Sequence, residues 1–88
     1  MTLCLALQTV HGAGVWRAEF DETCAKTDDA MTLAIEELTS LIENCTRLEK
    51  AVSSEEETVR KVYLRRLQMC KNLYIFVRES KQLEVQPK

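Results

Sequence analysis

From Phe20 onward the apolar positions fall on one stripe. Phe20, Cys24, Thr27, Met31, Ala34, Leu38, Leu41, Cys45, Leu48 and Val52 follow one another at alternating steps of four and three, the spacing of a heptad seam. Met31, Leu38, Cys45 and Val52 take the a positions and Ala34, Leu41 and Leu48 the d positions. Ile35 and Ile42 widen the stripe at e, which suits a helical bundle better than a strict two-stranded coil. Gly12 and Gly14 lie before the stripe and the one proline is Pro87, so residues 15–86 hold no strong helix breaker. The spacing predicts a long helix over about 15–52.

The serines that follow offer an end to it. Ser53-x-x-Glu56 and Ser54-x-x-Glu57 both spell a capping box, in which a side-chain hydroxyl satisfies amides left open at a new helix start. A turn over 51–54 and a second helix over about 55–82 follow, carrying the seam on through Val59 and Val62. The chain then reads as all-α, an antiparallel helical hairpin that completes a bundle or coiled coil with partner chains. The rival is one unbroken rod, because the same heptad continues through Met69, Leu73, Phe76 and Leu83. The rod would leave Leu64, Leu67, Tyr74 and Ile75 facing water, and the hairpin can bury them. Residues 1–14 are expected to form an N-terminal segment or short helix, with Leu3, Ala6, Leu7 and Val10 at helical spacing, although so short a run also fits a strand. Residues 83–88 are a tail, and 1–88 is a single helical domain.

Charge supports the fold-back. Residues 1–53 hold nine acids and four bases, residues 54–88 five acids and eight bases, so the halves attract. Folding at about residue 53 would set Glu43 near Tyr63 to Arg66, Glu36 and Glu37 near Lys71, and Asp28 near Arg78. The net charge of −2 gives no overall positive field for nucleic acid or anionic lipid. No run approaches the ~20 apolar residues of a membrane span, and the N-terminus lacks the basic flank and cleavage site of a signal peptide.

Four cysteines, Cys4, Cys24, Cys45 and Cys70, lie 20, 21 and 25 residues apart. They form no C-x-x-C pair and have only His11 for company, a poor zinc signature. Cys24, Cys45 and Cys70 fall on helix faces where a thiol serves as a small apolar filler. Reduced core cysteines imply an intracellular protein, cytoplasmic or nuclear.

Little in the chain suggests catalysis. His11 has no acid or nucleophile in its neighbourhood, and Glu36, Glu37 and Glu43 lack the Glu-x-x-His pairs of a di-metal bundle. No catalytic residue, cofactor or metal ligand is expected. The basic run Arg60, Lys61, Arg65, Arg66, Lys71, Arg78 and Lys81 could grip phosphate, but the acidic first half answers it more simply. Leu73, Tyr74, Ile75, Phe76 and Val77 are five consecutive large apolar residues, which on a helix face every direction. With Trp16 and Phe20, placed opposite them in the folded-back hairpin, they are the expected partner-binding anchors.

The expected role is a non-enzymatic structural or adaptor subunit joined to helical partners, in a hetero-oligomer rather than a homodimer. The alternatives are a nucleic-acid-associated protein using Arg60–Arg78 and a small chaperone-like hairpin masking a partner. No motif identifies a family. The seam makes a mutational forecast. Leu41→Asp should cost more than about 4 kcal/mol by burying a charge, whereas Lys50→Glu should stay within about 0.5 kcal/mol of the parent. Urea denaturation followed by circular dichroism measures both, and equal effects would refute the face assignment.

Overall fold

A computed structural model describes residues 15–85, and these are helical throughout apart from short breaks at 33–34 and 53–56. Three α-helices pack against one another: α1 (Val15–Cys24), α2 (Ile35–Val52) and α3 (Glu57–Val85), with a 3₁₀ segment, Ala25–Thr32, between the first two. The N-terminal segment, with His11 and the question of helix or strand at residues 3–10, lies outside the described residues.

The expected long helix over 15–52 is therefore two helices, and polar side chains break it. Thr27 Oγ1 donates to the Cys24 carbonyl at 3.1 Å and Thr32 Oγ1 to the Asp29 carbonyl at 2.8 Å. Threonine and aspartate compete in this way for backbone groups, and the chain tightens into 3₁₀ geometry. Leu33 and Ala34 are then extended, with ψ of 149° and 158°. The start of α2 is secured by Glu37, whose carboxylate accepts the Ala34 N–H at 3.0 Å. Acidic Glu36 and Glu37 sit in its first turn and Lys50 in its last, where each favours the helix dipole.

Neither expected capping box starts α3. Ser53 Oγ donates to the Glu49 carbonyl at the end of α2, and the Glu56 carboxylate accepts the Thr58 N–H at 2.9 Å. The helix begins at Glu57 and runs to Val85, so residues 83–85 of the expected tail belong to it.

Cross-helix contacts give the direction of each element. Arg78 bonds Thr39 and Lys71 bonds Glu49, so residue numbers rise along α2 as they fall along α3. Trp16 Nε1 donates to Glu55 at 2.8 Å, and Tyr74 Oη donates to the Thr23 carbonyl, so α1 and α3 ascend together. The break at 25–34 thus reverses the chain and carries Trp16 to the turn between α2 and α3. It does not lie beside residues 73–77, the position expected for it in the folded-back hairpin. The foreseen charge pairs also differ, and the cross-element pairs among the described residues are Glu19–Arg47 and Glu49–Lys71.

The core forms where the three helices meet. Leu38, Cys45, Leu48 and Val52 of α2 interlock with Leu67, Tyr74 and Val77 of α3, all nearly inaccessible to solvent, and Trp16, Phe20 and Ala30 close the side. Leu41 and Ile42 are buried as well, and Val59, Leu64 and Ile75 are partly covered. Three residues of the expected seam fall outside it. Met31, 67% exposed, and Ala34 lie on the 3₁₀ segment and the extended break, where the 3.6-residue period no longer holds, and Val62 faces outward on α3.

Tyr74 is the largest of the fully buried side chains, and its hydroxyl ties α3 to α1. Burial pushes its pKa up to about 12, with the neighbouring Cys45 adding to the rise and the Lys26 backbone opposing it. A raised folded-state value means that stability is intact below the unfolded tyrosine pKa and drains away as pH climbs from about 10 to 12. Tyr74→Phe should cost about 1–2 kcal/mol at pH 7 through the lost hydrogen bond. It should also flatten the alkaline fall in urea midpoint, and an unchanged alkaline profile would contradict this assignment.

Candidate functional site

Two features stand apart from the ordinary core: an apolar stripe on the outside of α3, and three sulfurs gathered where the helices meet. The stripe arises because α3 is apolar on more than one face. Tyr63, Leu67, Cys70, Tyr74 and Val77, at steps of four and three, turn toward α1 and α2. Val62, Met69, Leu73, Phe76 and Leu83 stay exposed, at steps of seven, four, three and seven. With each residue advancing about 100° around the axis, the second stripe lies roughly a quarter to a third of a turn from the first. Met69 and Phe76 are both 65% exposed and Leu83 70%.

The expected partner anchors are thereby divided. Leu73 and Phe76 are exposed and Ile75 is partly covered, whereas Tyr74 and Val77 are consumed by the chain's own core. Trp16 and Phe20 are also core residues, because the reversal at 25–34 lays α1 against α3. Their rings meet Tyr63 edge-on, with centroids 4.9 and 5.0 Å away. Arg17 and Arg66 lie over this aromatic group, Arg17 about 5 Å from the Trp16 and Tyr63 rings and Arg66 5.1 Å from Phe20. Arg17 also donates to the Tyr63 hydroxyl at 3.1 Å.

Much of the basic run is engaged within the chain. Arg60 donates to the Glu55 carbonyl, Lys61 pairs with Glu57, Lys71 with Glu49, and Arg78 bonds Thr39. Arg65 is exposed. Glu36, Glu37 and Glu43 are exposed too, and Glu37 is committed to the Ala34 amide.

The sulfur cluster corrects the reading of the cysteines as reduced fillers. Cys24, at the end of α1, is disulfide-bonded to Cys70 in the middle of α3. Cys45 is a free, buried thiol on α2, 3.7 Å from Cys70 Sγ. The three residues share no local motif, and the fold assembles them by bringing one from each helix. Burial, followed by the charge of Glu49, pushes the Cys45 pKa up to about 11, against an opposing pull from Lys71. At neutral pH it is a protonated thiol, a poor nucleophile toward the bond beside it. The compartment inferred from reduced thiols loses its basis.

A groove of about 450 Å³ opens over the disulfide, walled by Phe20, Asp21 and Thr27 on one side and Arg66 and Met69 on the other. Among the described residues no helix is long and apolar enough to cross a membrane. Sequence spacing could not have singled out the cluster, since its members lie 21 and 25 residues apart. No family model, no curated protein and no solved structure matches this chain.

Proposed function

We propose that the protein is a non-enzymatic structural or adaptor subunit in which the α2–α3 hairpin presents the outer stripe of α3 to a helix of another protein. One observation carries this reading: Val62, Met69, Leu73, Phe76 and Leu83 repeat as one side of a coiled-coil seam while remaining in solvent. Arg66 and Ser80 occupy the remaining seam positions. A parallel second copy would bring Arg66 against its own equivalent, a like-charge contact at the interface centre, so a different helical chain is favoured. Covering two of the larger side chains would be worth about 3–6 kcal/mol before the cost of association.

The nucleic-acid reading draws on the exposed Arg65 and on Arg66, and the internal engagement of Arg60, Lys61, Lys71 and Arg78 weakens it. A chaperone-like role would use the same stripe for a transient client.

The test uses the tagged full chain. In the doubly substituted Met69→Glu, Phe76→Glu chain both changes lie on the surface, so helicity and urea midpoint should stay close to the parent. A helical partner that co-purifies with the parent, raising its native mass, should be lost, while Lys61→Glu keeps it. Retention of that partner by the double variant would refute the proposal. A native mass of two copies for the purified chain alone would assign the stripe to self-association. Nucleic-acid binding that falls steeply with salt and disappears in Arg65→Glu, Arg66→Glu would replace the proposal with the second reading.

A further inference from the structure

We propose that Cys24, Cys45 and Cys70 form a redox-gated site for a zinc-type divalent ion, closed while the Cys24–Cys70 disulfide stands and opened when a dithiol reductant cleaves it. The geometry carries the proposal. The three sulfurs lie within 4.8 Å of one another, although they come from three separate helical elements. Cys45 and Cys70 Sγ are 3.7 Å apart. Tetrahedral zinc with Zn–S bonds near 2.3 Å sets its sulfurs about 3.8 Å apart, so one edge of such a tetrahedron is already in place. A structural cross-link needs two sulfurs, and the third, buried in contact with it, serves no purpose in that cross-link.

The arrangement suits a metal better than internal disulfide exchange. Attack by Cys45 on Cys70 calls for attacking and leaving sulfurs on opposite sides, which would separate Cys45 from Cys24 by about 5.7 Å. The three instead form a compact cluster. The groove above Cys24 and Cys70 gives an entry path for the ion and for a water as the fourth ligand that zinc requires.

The chemistry balances with a dithiol as reductant and a disulfide as oxidant. A dithiol gives two electrons and two protons to the Cys24–Cys70 bond, becoming a cyclic disulfide and leaving two thiols. Together with Cys45 these bind one M²⁺ and release three protons. A small-molecule disulfide takes two electrons from the Cys24 and Cys70 thiolates and leaves as two thiolates, which re-forms the Cys24–Cys70 bond and leaves the metal with one sulfur ligand, which cannot hold it.

The experiment uses the full chain in a Cys4→Ser background, so that only these sulfurs are counted. After reduction with a phosphine and removal of the excess, cobalt(II) and then zinc(II) are titrated under anaerobic conditions. One equivalent should produce the thiolate-to-cobalt charge-transfer band and the visible bands of a tetrahedral site, and zinc should displace the cobalt. The oxidised chain should give no such spectrum, and adding an oxidant should release bound zinc to a chromogenic chelator. Cys45→Ser keeps the disulfide pair, and its fold is checked by circular dichroism in the oxidised form. It should bind at least about tenfold more weakly. Failure of the reduced chain to bind either metal more tightly than about 1 µM overturns the proposal, as does full-strength binding by Cys45→Ser. A reduced chain that unfolds and does not refold with zinc overturns it equally.

Discussion

Ten residues are too few to hold a helix in water by their own hydrogen bonds, so α1 depends on being received by the rest of the molecule. The turn before α3 and α3 itself receive it at three levels. Trp16 reaches Glu55 at the turn, Trp16 and Phe20 close on Tyr63, and Cys24 is bonded to Cys70 while Tyr74 holds the Thr23 carbonyl. The disulfide closes a separation of 46 residues, which in the chain-entropy account removes about 4 kcal/mol of freedom from the unfolded state. The remainder of the architecture follows from this docking, because it occupies the face of α3 that would otherwise be offered to a partner.

Docking α1 also explains why the outer stripe of α3 remains in water. A helix between two neighbours can bury a broad arc, and α3 spends that arc on α1 and α2. Val62, Met69, Leu73, Phe76 and Leu83 lie beyond its edge. The chain has no described element left to cover them, and their seven-residue recurrence matches what another helix would require. The sulfur cluster sits at the junction of the same three elements. Any event that separates α1 from α3 must therefore also disturb Cys24, Cys45 and Cys70, which couples the chemistry of that site to the integrity of the fold.

Much of the architecture was legible in the order of residues. The all-helical class and the buried faces of Leu38, Leu41, Cys45, Leu48 and Val52 follow from local periodicity, a property that each helix carries alone, whereas the turn near Ser53 was marked by its serines and glutamates, since the period runs on across it. The break at 25–34 was also written there, in Thr27, Asp28, Asp29 and Thr32. Without glycine or proline the segment passes for helix, and the extended backbone at Leu33 and Ala34, with the two threonine hydroxyls paired to nearby carbonyls, shows that the backbone yielded.

By itself the sequence determined the helical character of α2 and α3 and the apolar stripes along them, because both depend on interactions a few residues apart. It could not determine which of two apolar stripes on α3 faces inward, whether Trp16 stands at the turn or at the opposite end, or that three widely spaced cysteines share one point. Those outcomes depend on the direction in which α1 leaves the 3₁₀ segment. That direction was settled by the tertiary packing of Trp16, Phe20 and Tyr74, long-range contacts whose energies no local pattern encodes.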